Sequence, residues 1–263
     1  MNPYVIAIGH QKGGVAKTTT TLSLGACLVE RGSETLVIDL DPQANLTSGI
    51  GLDADKMEFS IAEALLGEME VSAIRLETSL PGLDIIPSSA SMFSVGRELY
   101  EVEAYEFRLR HVLAEPALSD YGYVLLDCPP SLGPLTFNAL TAAELLIIPT
   151  QCEYFSIQAL TDMFEVVKLI RARTNPHLMY RLLVTMFDGR GLFHARMLEQ
   201  MRLYFNEGLL QTIIGFDTKL RQAQLAGKPV TVHAPACRSA QQYRQLAEEL
   251  SIHVSNRPKI QTA

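Results

Sequence analysis

Gln11-Lys12-Gly13-Gly14-Val15-Ala16-Lys17-Thr18-Thr19 lies between the apolar run Tyr4-Val5-Ile6-Ala7-Ile8 and an amphipathic segment from Thr20 to Glu30. A buried strand that enters a glycine-bearing turn and leaves as a helix opening on Lys-Thr-Thr is a recipe for a phosphate cradle. The first N–H groups of such a helix have no partner in the chain and point at an anion. Gly13 and Gly14 allow a tight turn and let the backbone approach phosphate oxygens. Val15, Ala16 and Thr19 complete the loop and the helix start as nucleotide-contacting positions. Lys17 is placed to reach the β and γ phosphates, and the Thr18 hydroxyl to ligate Mg²⁺. The spacing departs from the common G-x-x-x-x-G-K-[ST] pattern, because Gln11 and Ala16 occupy its glycine positions. What fits is x-K-G-G-x-x-K-[ST], with Lys12 as a second lysine.

Outward from this loop, apolar runs alternate with segments of helical period. The pattern predicts strands over Tyr4–Gly9, Thr35–Asp39, Leu83–Pro87, Tyr123–Asp127, Leu145–Pro149, Arg181–Met186 and Leu209–Ile214. It predicts helices over Lys17–Glu30, Ile61–Leu66, Ala90–Tyr100, Tyr105–Leu113, Leu135–Ala143, Ile157–Arg173, His194–Asn206, Lys219–Ala226 and Ala240–Ser251. Continuous apolar strands such as Leu145-Leu146-Ile147-Ile148 suit a sheet covered on both faces. The expected fold is therefore α/β: a single-domain, doubly wound, mainly parallel sheet with helices on both faces. The domain is expected over residues 1–255, with a tail over 256–263. Ligands of such sheets sit beyond the carboxyl ends of the strands. That rule selects His10 to Thr19, Asp39 to Asn45, Asp127-Cys128-Pro129-Pro130, Pro149 to Glu153, and Phe187-Asp188-Gly189-Arg190.

Net charge is −7 over 263 residues, and the average hides an asymmetry. Residues 1–167 carry 8 basic against 23 acidic side chains, a balance of −15, and residues 168–263 carry 14 against 6, a balance of +8. A basic last third on an acidic protein points to a polyanion-facing surface. The opening Met1-Asn2-Pro3 lacks the basic and apolar regions of a secretory signal, and no apolar run approaches a membrane span. A cytoplasmic protein is expected. Cys27, Cys128, Cys152 and Cys237 form no CxxC pair and are expected to be free thiols. The histidines show no metal-ligand spacing, so Mg²⁺ is the only metal suggested.

The lysine-flanked loop, together with Val37–Gly51 (VIDLDPQANLTSGIG), Leu126–Leu140 (LDCPPSLGPLTFNAL), Ile148–Tyr154 (IPTQCEY) and Gly227-Lys228-Pro229, resembles the ParA/MinD class of deviant P-loop ATPases, the ParA/Soj partition branch above all. The resemblance implies ATP and Mg²⁺ as ligands and slow hydrolysis stimulated by a DNA-bound, ParB-like adaptor. It further implies that Lys12 reaches the partner's phosphates across a nucleotide-sandwich homodimer formed on ATP binding. Asp41, in Asp39-Leu40-Asp41-Pro42-Gln43, matches switch I, which positions the attacking water or the magnesium surroundings. Asp127 ends an apolar strand before Pro129-Pro130, as a Walker B carboxylate holding Mg²⁺ through water does. Lys12, Lys17 and Asp41 are thus the expected catalytic residues.

By the same resemblance, Arg190, Lys219 and Arg221 contribute to nonspecific binding of double-stranded DNA, which needs positive charge rather than base-reading geometry. Met186 and Pro235 are candidates beside adenine. The protein is then expected to be nucleoid-associated. His10 replaces the Asn usual before Gln11-Lys12 and is left without a role, and Ala16 replaces the usual glycine of G-K-T and is expected to permit nucleotide binding. Alternatives are the same engine positioning a protein cargo, such as a microcompartment or chemotaxis array, and a MinD-like membrane-associated regulator of division. Against the latter, Gln241 to Ser251 reads as an ordinary packed helix, and Pro258-Lys259-Ile260-Gln261 is too short and polar to insert, so no membrane partner is expected. An iron–sulfur reductase is disfavoured, because Cys128 lies inside the switch motif.

Overall fold

Eight strands form one sheet in the order β3-β4-β2-β5-β1-β6-β7-β8 in the computed structural model, which describes residues 2–153 and 156–255. The strands are β1 (Tyr4–Ile8), β2 (Thr35–Asp39), β3 (Leu76–Glu77), β4 (Leu83–Ile86), β5 (Tyr123–Asp127), β6 (Leu145–Thr150), β7 (Met179–Phe187) and β8 (Leu209–Gly215). All pairings are parallel except β3 with β4. The chain works outward from β1 to β2 and β4, returns through β5, and crosses β1 to build β6, β7 and β8. The carboxyl ends of β1, β2 and β5 therefore meet where the strand order reverses, the place at which a doubly wound sheet opens a crevice. In that register Asp39 of β2 stands beside Asp127 of β5, and Ile8 of β1 beside Asp127.

Every residue of β1, β2 and β5 is buried, as their unbroken apolar runs require. Alternate side chains feed two cores. Tyr4, Ile6 and Ile8 join Leu24 and Leu28 of the helix Lys17–Glu30 and Tyr243, Leu246 and Leu250 of the helix Arg238–Ser255. Val5 and Ala7 join Leu135, Leu140, Met163 and Val167 on the opposite face. The fold class read from the sequence is the fold observed. No helix among the described residues is long and apolar enough to cross a membrane.

The differences are local. The two-residue strand β3 was not expected, because two residues carry no period to read. The segment expected as one helix over Ala90–Tyr100 is Met92–Glu98 followed by a 3₁₀ turn, Leu99–Glu101, and that over Tyr105–Leu113 is a 3₁₀ turn, Tyr105–Phe107, followed by Arg108–Val112. Short helices at Asn45–Gly49, Val71–Ile74 and Val230–His233 also escape a periodicity that needs two turns to show itself. The last helix runs from Arg238 to Ser255, longer than expected at both ends. The tail over 256–263, with Pro258-Lys259-Ile260-Gln261, lies outside the described residues.

One contact pins the switch-bearing side of the crevice to the last third of the chain. Gly227 has φ +61, and a Cβ placed on it would lie 2.7 Å from the Gly51 Cα, backbone against backbone. Gly227→Ala therefore combines a left-handed strain with a clash that no side chain can relieve. It is expected to lower the unfolding free energy by about 2–3 kcal/mol, read from urea melts.

Candidate nucleotide site

The chain leaves β1 and returns as the helix Lys17–Glu30 through a loop with two left-handed residues, Gly14 at φ 75 and Ala16 at φ 68. Turns of this kind orient backbone N–H groups into an anion-binding concavity. A Cβ on Gly13 or Gly14 would meet nothing within 4 Å, so the space in front of them is left for a ligand rather than filled by protein. Ala16 holds a conformation that glycine adopts freely and alanine adopts at a cost of roughly 1–2 kcal/mol. The replacement flagged in the sequence is thus met by strain, with the loop path retained.

Side chains from three elements hold that path. Thr185 of β7 donates to the Val15 carbonyl at 3.1 Å, Gln151 after β6 donates to the Gly14 carbonyl at 3.3 Å, and His10 Nδ1 accepts the Lys12 N–H at 2.8 Å. His10, without a role in the sequence reading, is therefore a loop brace. Accepting at Nδ1 requires the neutral imidazole, with its proton on Nε2. Nε2 is buried and has no partner among the described residues. Burial, followed by the charges of Lys17 and Lys12, lowers its pKa from 6.5 to about 4.

Facing the loop, three carboxylates converge. Asp127 is fully buried and accepts from the Thr18 hydroxyl at 2.7 Å and the Thr21 hydroxyl at 3.3 Å. Asp39 accepts from the Thr47 N–H and hydroxyl, at 2.9 and 2.8 Å, and from the Asp41 N–H at 3.1 Å. Asp41 accepts the Gln43 N–H at 3.0 Å, and its carbonyl is held by Ser88 at 2.8 Å. Burial raises Asp39 to about 6 against the opposing pull of its hydrogen bonds. Burial and then the charge of Asp39 push Asp127 well above the carboxylate range, with the Thr18 hydrogen bond pulling the other way. A hydroxyl and hard carboxylate oxygens, crowded beyond what Lys17 neutralises, are the donor set that suits a small divalent cation. Thr18, Asp41 and Asp127 fit the expectation for Mg²⁺.

A cavity of about 750 Å³ opens in front of the loop, and of the three carboxylates Asp41 lines it while Asp39 and Asp127 lie behind. Gly13, Gly14, Ala16, Lys17, Thr18, Thr19, Asp41 and Met186 all line it, so most of the expected positions are brought together. Val15 is buried behind the loop and contributes its backbone. Lys12 faces sideways, its ammonium 2.7 Å from Glu153 and 3.3 Å from the Gln151 amide oxygen.

Pro235 is not brought to this cavity. Its carbonyl accepts from Arg244, which pairs with Glu30 at the far end of the helix that starts at Lys17. The turn before the last helix is carried there by the packing of that helix along the first, so Pro235 stands away from the phosphate loop. Arg190 lies beyond β7, exposed and paired with Asp188 at 2.6 Å. Lys219 and Arg221 share the helix Thr218–Leu225 beyond β8, and Phe216 N–H to Phe187 carbonyl, at 3.0 Å, ties the two post-strand segments together. Arg221, expected on a DNA face, lines the cavity as well. Gln151 lay in a segment that the strand-end rule selected, but its bonds to the phosphate loop and to Met186 of β7 have no local signature. Gln224, bonded to Thr19 at 2.8 Å, had none either.

A histidine whose folded pKa is depressed contributes stability that is complete above its unfolded value, near 6.5, and is lost as pH falls toward about 4. Wild-type protein should lose up to about 3 kcal/mol over that window through His10. The His10→Asn variant, which keeps an acceptor for the Lys12 N–H, should lack this component. The check is the difference between variant and wild-type urea melts at neutral pH and near pH 4.

The AAA domain family matches residues 4–180 of the chain. The sporulation initiation inhibitor protein Soj of Bacillus subtilis is 38% identical over 248 residues, 94% of this chain and 98% of Soj. The chromosome partitioning protein ParA of Caulobacter vibrioides is also 38% identical over 248 residues, 94% of this chain and 93% of ParA. Among solved structures, cobyrinic acid a,c-diamide synthase of Mycobacterium smegmatis with a bound ATP analog and magnesium superposes with a TM-score of 0.86 at 33% identity, covering 99% of each chain. A phosphate loop at the switch point of a parallel sheet, three carboxylates facing it, and near full-length identity to Soj and ParA together mean that this chain belongs to the ParA/Soj family of P-loop ATPases.

Proposed function

We propose that the protein is an Mg²⁺-dependent ATPase that partitions DNA. Its ATP-bound form is a sandwich homodimer that binds double-stranded DNA without sequence preference, and a ParB-like adaptor accelerates its hydrolysis. The observation that carries the reading is the opposite setting of the two loop lysines. Lys17 is buried against the cradle, while the Lys12 ammonium turns away from its own cavity toward Gln151 and Glu153, about one-third exposed. A cation at the rim of a phosphate site that does not serve that site is available to a neighbour. Names among the relatives and structural neighbours, a partitioning protein and a complex with an ATP analog and magnesium, agree with this reading.

In this mechanism water attacks the γ phosphorus and the bond to the β–γ bridging oxygen breaks, so catalysis is positioning and charge neutralisation. The loop N–H groups and Lys17 bind the phosphates. Thr18, Asp41 and Asp127 would hold Mg²⁺, which would supply countercharge to the phosphate oxygens. Asp41, anchored on both sides by hydrogen bonds, orients the water. Among the described residues no histidine lines the cavity, and His10 Nδ1 is committed to the Lys12 N–H. Slow basal turnover follows, and with it a place for an activating partner.

The basic last third, with Arg190 and Lys219 exposed beyond neighbouring strands, supports the DNA partner. Dimerisation doubles the number of phosphate contacts and raises avidity without new chemistry.

Lys12→Ala is expected to bind ATP yet remain a monomer in sedimentation velocity; a normal ATP-dependent dimer would remove the trans role of Lys12. Asp41→Ala should still dimerise but hydrolyse ATP about a hundredfold more slowly, measured by phosphate release. ATP-loaded wild-type protein should retard arbitrary duplex DNA at low salt, and Arg190→Ala should reduce the slope of log affinity against log salt by about one. Absence of retardation at any salt would remove DNA as the partner.

A further inference from the structure

The helix Thr218–Leu225 is a wall of the nucleotide site as well as part of the basic surface. Gln224 Nε2 donates to the Thr19 hydroxyl at 2.8 Å, directly behind the phosphate loop. Arg221 lines the 750 Å³ cavity together with Thr18, Thr19 and Met186. Beyond Ala16 and Met186, a recess of about 90 Å³ is closed by Phe216, Leu220 and Arg221. The Arg221 guanidinium lies over the Phe216 ring, 5.5 Å from its centroid, and no ion pair engages it among the described residues. A guanidinium stacked on a ring is fixed in plane while its N–H edge stays open to an anion. Lys219 differs: its ammonium bonds Gln222 at 3.0 Å, and neither residue lines the cavity.

We propose that Arg221 binds an anionic oxygen of the nucleoside di- or triphosphate held by its own subunit, and that Gln224 is a positioning residue for Thr19. This rests on the reading of the cavity as a nucleotide site and removes Arg221 from the primary DNA contacts. Thr19 Oγ1 accepts from Gln224, so its own proton is free to be donated to a phosphate oxygen. Gln224 and nucleotide therefore support each other at Thr19 rather than compete. The turn after this helix is fixed by the Gly227–Gly51 backbone contact, next to the helix Asn45–Gly49 that follows Asp41. One short helix thus joins an anion ligand, a loop brace and, through Lys219, an exposed cation.

The test is titration of full-length protein with fluorescent N-methylanthraniloyl ADP and Mg²⁺, which requires neither dimer nor DNA. Arg221→Ala should weaken binding about tenfold and Arg221→Lys should recover part of it, the size expected of one charge-assisted hydrogen bond. Gln224→Ala should weaken binding about threefold while leaving the nucleotide-free melting temperature unchanged, which a merely structural role would not do. If Arg221→Ala binds ADP within about twofold of wild type, or if Arg221→Lys is no better than the alanine variant, Arg221 is not a nucleotide ligand. Should the alanine variant fail to fold, Arg221→Gln replaces it under the same criteria. Wild-type protein that binds no ADP overturns the nucleotide-site reading, and this proposal with it.

Discussion

Crowding three carboxylates at the ends of neighbouring strands is the constraint on which the rest of the site depends. The register of β2 with β5 sets Asp39 beside Asp127 in a place with little water, where like charges repel strongly. The chain resolves this by dividing the work. Asp39 is consumed by the turn that carries Asp41, accepting from the Asp41 N–H and from the N–H and hydroxyl of Thr47. Asp127 is offered to Thr18, one residue from the buried Lys17. What remains uncompensated is the charge that a dication would neutralise, so the site is built to be completed by its ligand.

The phosphate loop is over-determined in a related way. Gly14 and Ala16 both sit in the left-handed region, and only the first has a residue type suited to it. Bonds from Thr185, Gln151 and His10 supply the restraint that the alanine forgoes. His10 does this at the expense of a buried N–H without a partner among the described residues, a cost of the kind found where function fixes a conformation that stability alone would not choose.

Legibility from the sequence followed the range of each interaction. β1, β2 and β5 are unbroken apolar runs buried on both faces, and their ends were read to the residue or nearly so. Lys17, Thr18 and Asp127 could be proposed together because their chemistry is written in consecutive residues at strand ends, and the fold brings Thr18 against Asp127. Helices of four or five residues, such as Asn45–Gly49, left no periodic trace. Pro235 was misplaced and the cavity position of Arg221 missed because both depend on how the last third folds back over the first helix. Gln224 meets Thr19 across 205 positions of chain, and no local pattern encodes such a contact.

The pairing of Lys12 with Glu153 has a kinetic side. Both partners are substantially exposed, and ion pairs in that setting are worth well under about 1 kcal/mol once solvent screening and side-chain entropy are counted. Such a contact breaks and reforms on the timescale of side-chain rotation, far faster than two protein subunits meet. It keeps the ammonium parked near the rim without imposing a barrier on its departure. In the proposed dimer, encounter between subunits, rather than release of the lysine, would then govern how quickly the chain changes partners.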